Sequence, residues 1–393
     1  MSPFSGGLVR ARELVAVRFG HAALRVHQIR VLGPLLGGRS VLAVLPTGAG
    51  KSLCYQLPAL MAPGLTLVVS PLISLMQDQV AALRRRRIAA AYLSSSLSAE
   101  QRRAVLDAAL HDRLKLLYCA PERVGALVRR LARAGPAVSL LAVDEAHCIV
   151  EWGNEFRPVY RRLGEYRYRL GRPATIALTG SATPDTRAEI LRVLRLPHAE
   201  VVVTSFDRPN LRFAVQRVPD DRARFQRIRR LIREADGHTI LYTPTRRLTE
   251  LVARALLRMG VRAAPYHAGL SPDTRRGVLL DFLRDRAPVV VATSAFGMGI
   301  DKPDVRRVIH WGPPRTLEAY YQEAGRAGRD GGGGECLILW SPADFAWAEC
   351  APEMRAYIAR PVCRRRMLLE YFGETLSHCN GCDVCAPPPE PGR

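Results

Sequence analysis

The sequence predicts an α/β chain of two tandem units, each a parallel sheet with helices on both faces, followed by a small helical region rich in cysteine. Three observations carry this. Short apolar, β-rich runs alternate with helix-periodic segments for most of the chain. The alternation thins around residues 196–210, and after about Ser341 it gives way to helical and then Cys-rich sequence. At 393 residues the chain is too long for one simple core and suits two domains of ordinary size with a few dozen residues left over.

Taken in order, the first series of expected strands is Ser40–Leu45, Thr66–Ser70, Lys115–Cys119, Ser139–Val143 and Thr175–Thr179, with helical periodicity over Leu75–Arg87 and Ala99–Asp112. Leu196–Asn210 reads as the crossing between the units. A second series follows at Thr239–Tyr242, Val261–Ala264, Val289–Ala292, Arg307–Ile309 and Glu335–Leu339, with helices over Arg224–Ala235 and Leu248–Met259. The expected domains are therefore 1–205, 206–340 and 341–393. No repeat recurs at a fixed short period. The terminal APPPEPGR reads as extended or frayed.

Composition narrows the function. The chain is 48% hydrophobic and 24% charged, which suits a folded protein rather than a disordered one. Lys plus Arg number 58 against 36 Asp plus Glu, a net charge of +22, and almost all of the positive charge is arginine. A single run such as Arg84-Arg85-Arg86-Arg87 is an ordinary solvated face. An excess this large over the whole chain favours a polyanionic partner, nucleic acid ahead of an anionic membrane surface. No apolar run reaches the ~20 residues of a membrane span, and the N-terminus lacks a signal-peptide core. A bacterial cytosolic or nucleoid location is expected.

The chemistry starts at Thr47-Gly48-Ala49-Gly50-Lys51-Ser52, after the strand-like VLAVL and before the apolar SLCYQLPAL. Glycines bring backbone N–H groups close to phosphates, Lys51 reaches the terminal phosphates and Ser52 can ligate Mg²⁺. Leu45 stands where the strict phosphate-loop pattern has its first glycine. Asp144-Glu145 directly follows SLLAV, at the carboxyl end of an expected parallel strand, where ligands of such sheets bind. Asp144 suits a water-bridged Mg²⁺ and Glu145 the attacking water. Farther on, Gln322-Glu323-Ala324-Gly325-Arg326-Ala327-Gly328-Arg329 sets two arginines three apart, on one face if the segment is helical. Arginines supplied by a second domain can neutralise charge on a γ-phosphate.

Of the nine cysteines, Cys54, Cys119, Cys148, Cys336 and Cys350 sit among apolar neighbours and read as buried thiols. Cys363-x₁₅-Cys379-x₂-Cys382-x₂-Cys385 has metal-ligand spacing, enough for a closed tetrahedral Zn²⁺ site, with an iron–sulfur cluster as the alternative. CRRRMLLEYFGE places Cys363 at the head of a helix. His378 is a bystander.

Together these segments resemble the RecQ family of DNA helicases over roughly Leu14 to Cys385. VVSPLISLMQDQV (68–80), AHCIVEWGNEFRPVY (146–160), YHAGL (266–270), ATSAFGMGIDKPDV (292–305) and YYQEAGRAGRDG (320–331) carry the likeness. It implies two tandem RecA-like P-loop motor domains followed by a small helical zinc-binding region, and it decides the cysteine cluster for Zn²⁺. It also implies that ATP, with Mg²⁺, is held by the phosphate loop and Asp144 on one side and by Arg326 and Arg329 on the other, with Arg329 as the finger. Asp301 joins the nucleotide contacts and Gln322 the catalytic set, while Ser181-Ala182-Thr183 couples hydrolysis to movement. His21, Arg25 and Gln28 match the adenine-reading motif, His21 in place of the usual stacking aromatic. Trp152, Phe156 and Arg157 match a DNA-coupling loop, in which Asn154 replaces a common histidine. The implied activity is 3′→5′ unwinding of tailed or forked duplexes by translocation on single-stranded DNA, by a monomer acting in repair or recombination. A DNA-stimulated translocase or annealing factor with little unwinding, an RNA helicase and a nonenzymatic zinc protein are the rivals. The sequence stops at Arg393, so a short member is expected, without the winged helix and helical accessory domain of larger relatives.

Overall fold

The computed structural model describes residues 7–46, 48–151, 159–234, 237–297, 302–347 and 349–386. The chain divides into two compact units, Met1–Thr204 and Ser205–Arg393.

The first unit holds strands β1 (Val41–Val44), β2 (Leu65–Val69), β3 (Ala90–Leu93), β4 (Leu116–Cys119), β5 (Val138–Val143), β6 (Ala174–Thr179) and β7 (Glu200–Val203). They form one sheet in the order β3-β4-β2-β5-β6-β1-β7, every pairing parallel. Residues of β1, β2 and β4 are buried throughout, as strands covered on both faces must be. Val41 and Ala43 pack with Val31 and Leu35 of the helix Val26–Leu36 and with Tyr55 of the helix Leu53–Met61.

The second unit contains β8 (Leu211–Arg217), β9 (His238–Tyr242), β10 (Ala263–Tyr266), β11 (Val289–Ala292), β12 (Val305–Trp311) and β13 (Gly334–Trp340). Their order is β10-β11-β9-β12-β13-β8, again all parallel. Alternate side chains feed two cores. Leu241 and Val291 join Ile228 and Leu256 of the helices Asp221–Arg233 and Arg246–Arg258. On the other face, Ile240 and Val290 join Tyr357 and Leu368 of the helices Pro352–Ala359 and Arg364–Tyr371. The residues after β13 are thus one covering layer of this sheet, with the helix Pro352–Ala359 preceding Cys363.

Among the described residues no helix is long and apolar enough to cross a membrane.

Candidate functional site

Because β6 lies between β1 and β5, the loops that follow these three strands emerge side by side at one edge of the first sheet. Backbone bonds keep them there. Leu45 N donates to Thr179 O (3.0 Å) and Ala146 N to Leu178 O (2.8 Å). The phosphate loop, the Asp144-Glu145 pair and Ser181-Ala182-Thr183 are therefore neighbours by strand order alone, at the end where parallel sheets bind ligands.

In the phosphate loop, Gly48 and Gly50 have φ of +82° and +74°, a conformation glycine adopts without strain. A Cβ on Gly50 would stand 2.6 Å from Gln28 Nε2. Gln28 is buried and donates to Ala49 O (3.3 Å) and Gly50 O (3.2 Å), while its Oε1 accepts from Arg25 N (2.9 Å). Arg25 donates to Gly48 O (2.7 Å), and His27 Nε2 lies 2.8 Å from Ala49 O. The residues read as adenine contacts thus grip the loop's own carbonyls. His27 was not singled out by sequence, although it precedes Gln28 within the same motif. His21 is exposed and apart from these bonds. Lys51 Nζ rests 3.4 Å from Leu45 O, and Ser52 opens the helix Leu53–Met61.

Asp144 is buried at the end of β5, where desolvation and then the Glu145 charge push its carboxyl up to about 7, with Lys51 pulling it down. Such a carboxylate pair, Asp144 buried and Glu145 half-buried, gains from an added cation. Glu145 sits at φ +47°, a left-handed conformation that costs a non-glycine residue on the order of 1–3 kcal/mol and recurs at functional sites. Its amide donates to Asp144 Oδ1 (3.1 Å). His147 Nδ1 lies 2.9 Å from Thr179 Oγ1 and 3.4 Å from Glu145 Oε2. Thr179 spends its one hydroxyl proton on Ser181 O (2.8 Å), which leaves His147 Nδ1–H as the donor to Thr179 Oγ1 and ties His147, a neighbour of the Glu145 carboxylate, to the Ser181 loop.

In the second unit Gln322 lies on the helix Leu317–Ala324, but that helix stops at Gly325. Arg326 and Arg329 occupy the turn beyond it, so a shared helical face does not exist; Gly328 turns the backbone at φ +56°. Arg326 is buried beside the Tyr242 hydroxyl, and a Cβ on Gly297 would come within 2.9 Å of its guanidinium. Thr47, Trp152, Phe156, Arg157 and Asp301 lie outside the described residues.

The four C-terminal thiols converge: all Sγ atoms of Cys363, Cys379, Cys382 and Cys385 lie within 4.8 Å of one another, with Cys363 and Cys382 3.9 Å apart. Thiolates ~2.3 Å from a tetrahedral ion stand about 3.8 Å apart, so the set fits Zn²⁺. Cys363 caps the helix Arg364–Tyr371, its Sγ accepting from Arg366 N (3.4 Å). Burial pushes the Cys382 thiol up, but N–H groups of Cys385, Arg364 and Val384 outweigh it and bring it down to about 7. The knuckle is stitched to β8. Phe213 N donates to Gly381 O (3.0 Å), Asp383 N to Phe213 O (3.0 Å), and Val215 N to Asp383 Oδ2 (2.9 Å). Arg365 donates to Leu211 O (2.6 Å), and Arg364 Nε to Asp383 Oδ1 (3.1 Å).

Comparison with known proteins agrees with this layout. Residues 25–191 match the DEAD/DEAH box helicase family, 223–331 the helicase conserved C-terminal domain, and 348–386 the RecQ zinc-binding family. The chain is 41% identical to the ATP-dependent DNA helicase RecQ of Haemophilus influenzae over 95% of its own length and 63% of that protein's. It is 40% identical to RecQ of Bacillus subtilis, covering 96% of this chain and 67% of that one. It thus spans about two thirds of the length of these two relatives and 28–56% of longer eukaryotic ones. Among solved structures, the DUF1998 helicase MrfA bound to DNA superposes with a TM-score of 0.72 at 19% identity, covering 93% of this chain and 54% of that one. Mycobacterium smegmatis Lhr bound to single-stranded DNA and AMP-PNP gives 0.69 at 23%, covering 97% and 52%. At those identities the likeness is one of fold.

Proposed function

The chain belongs to the RecQ family of superfamily 2 helicases, and from that premise we propose that it hydrolyses ATP to move 3′→5′ along single-stranded DNA and unwind tailed or forked duplexes. The observation that carries the reading is the convergence of the phosphate loop, Asp144-Glu145 and the Ser181 loop at the adjoining carboxyl ends of β1, β5 and β6.

In this reading the loop amides and Lys51 hold the phosphates. Ser52 and Asp144 would hold Mg²⁺, which would supply positive charge to the phosphate oxygens. Glu145 orients the attacking water and takes its proton. Arg326 and Arg329 answer the charge that develops on the γ-phosphate, with Gln322 beside them. His147, beside Glu145 and bonded through Thr179 to Ser181, gives hydrolysis a route to the Ser181 loop. Arg25 and Gln28 exchange loop carbonyls for adenine when nucleotide arrives, with His21 nearby and Thr47 and Asp301 adding contacts. Trp152, Phe156 and Arg157 couple DNA to the carboxylates a few residues upstream. The net charge of +22, nearly all arginine, suits a DNA backbone. The working unit is a monomer of the bacterial cytosol or nucleoid, serving repair or recombination, with Zn²⁺ held by the four cysteines.

The test is strand separation on a partial duplex with a 3′ tail and on its 5′-tailed counterpart, with ATP and a Glu145→Gln control. Unwinding confined to the 3′ tail and absent in the control is expected. ATP hydrolysis without any strand separation would replace the helicase with a translocase, and unwinding from the 5′ tail would reverse the polarity.

A further inference from the structure

The turn that bears Arg326 and Arg329 has little secondary structure of its own to hold it. The helix before it ends at Ala324, and its last carbonyls are taken by the turn's amides, Arg326 N on Glu323 O (3.3 Å) and Ala327 N on Ala324 O (3.0 Å), which leaves the turn's own carbonyls to find donors elsewhere. Arg208, the fourth residue of the second unit, supplies them. Its NH1 donates to Gly325 O (3.2 Å), and its NH2 to Ala327 O (2.9 Å) and Gly328 O (3.0 Å). One planar guanidinium therefore gathers three carbonyls from a stretch of four residues, the stretch from which Arg326 projects and after which Arg329 follows. Asn210 adds a second hold: its Nδ2 donates to Gly328 O (2.8 Å) and Gly332 O (2.8 Å), and its Oδ1 lies 3.4 Å from Arg208 Nε.

Arg208 is itself held firmly. Phe206 stacks on Phe372 at 4.6 Å and 14°, accepts at its carbonyl from Tyr321 Oη (2.9 Å), and donates its amide to Glu374 Oε2 (2.7 Å). Asp207 accepts from Arg365 NH1 (2.6 Å). The segment carrying the cysteines thus clamps the two residues before Arg208, which fixes where its side chain starts. A cation at a helix C-terminus is favourable in any protein, but that alone needs one charge. Reaching three carbonyls at once needs the guanidinium fork, which a lysine ammonium does not offer.

We propose that Arg208 is a positioning residue for ATP hydrolysis: by fixing the Gly325–Gly328 backbone it sets where Arg326 and Arg329 present their charges. The proposal rests on the reading of those two arginines as γ-phosphate partners. A group that acts only when charge develops on the phosphate contributes to kcat rather than to nucleotide binding. Misplacing it by a fraction of an ångström costs rate while the folded state persists.

The experiment is steady-state, DNA-stimulated ATP hydrolysis by the full chain as wild type, Arg208→Gln, Arg208→Lys, Arg329→Ala and the Arg208→Gln/Arg329→Ala pair, with zinc content and thermal melting measured on each. Arg208→Gln is expected to lower kcat by about 10–100-fold and Arg208→Lys by roughly 3–10-fold, with KM for ATP changed less than about twofold. In the Arg329→Ala background, Arg208→Gln is expected to cost far less than it does alone, because both act through the same turn. Unchanged kcat in a variant that retains zinc and melting temperature would overturn the proposal, as would fully multiplicative losses in the pair. Should Arg208→Gln lose zinc or melt early, Arg208→Lys decides alone: an unchanged kcat there also overturns it. Absence of hydrolysis by the wild type would remove the parent reading, and this proposal with it; hydrolysis by the wild type with indifferent Arg208 variants would remove the proposal only.

Discussion

The two units present their charged groups by different means. In the first, the reactive residues sit on loops leaving three consecutive strands of one sheet, so backbone pairing brings Gly50, Asp144 and Ser181 together before any side chain is considered. In the second, the paired arginines sit on a turn beyond a helix end, and side chains distant in sequence, Arg208 and Asn210, tie its carbonyls down. The first site takes its layout from strand order, with Arg25, His27 and Gln28 trimming the phosphate loop, whereas the second relies on individual hydrogen bonds for its layout as well. Apart from Arg25, His27 and Gln28, the first should tolerate distant substitutions and fail when its own backbone is crowded, whereas the second should be sensitive at residues that never approach a ligand.

The largest test breaks the second unit at its metal. Cys382→Ser, or zinc removal by a chelator, is expected to destabilise the second unit by several kcal/mol, on the order of 5 or more. Calorimetry with metal analysis checks this, and the first unit's transition should stay in place. A single transition falling for both units would erase the distinction. Gly50→Ala is a smaller challenge aimed at the first unit. Its φ of +74° and the 2.6 Å approach to Gln28 Nε2 predict a cost of about 1–3 kcal/mol and weaker nucleotide binding, read by fluorescent-nucleotide titration and melting. Undiminished binding would show that the loop is less constrained than its backbone implies.

The smallest effect sharpens the side-chain half. Asp330 follows the arginine turn and pairs with Arg306, whose guanidinium, with the Gly332 amide, depresses the Asp330 carboxyl to about 2. A depressed carboxyl stabilises the fold above its ordinary value near 4, and that contribution disappears as pH falls through about 2. The pair is about one-third exposed, so screening keeps the effect below about 1 kcal/mol. Asp330→Asn should therefore match wild-type melting near pH 2 and lag it slightly at pH 6; equal curves at both would remove the ion pair from the account.

Much of this was legible in the sequence because buried parallel strands are apolar runs. β2, β4, β5, β9 and β11 stand within a residue or two of where composition puts them. The misses are edge and near-edge strands. β3 follows a run of four arginines, β7 falls in what reads as a crossing segment, and β8 interleaves Arg212, Gln216 and Arg217 with its apolar residues. β10 runs to Tyr266 rather than ending at Ala264 because Pro265, which a central strand excludes, is tolerated at an edge. At the site, the cysteine cluster and the strand-end carboxylates have spacings that chemistry dictates. The grip of Gln28 on the loop, and of Arg208 on the arginine turn, joins residues through single bonds that leave no periodic trace.

The stitched edge of β8 matters when the metal is stripped as well as when it is bound. Leu211 O, Phe213 N, Phe213 O and Val215 N, the groups that a flanking strand would pair, are all taken by Arg365 and by the knuckle around Cys382. Were the knuckle not in place, that row would stand open, a template for another chain's strand. Metal supply thus bears on solubility as well as stability: the chain stripped of zinc by a chelator is expected to scatter more light than the loaded chain at the same concentration.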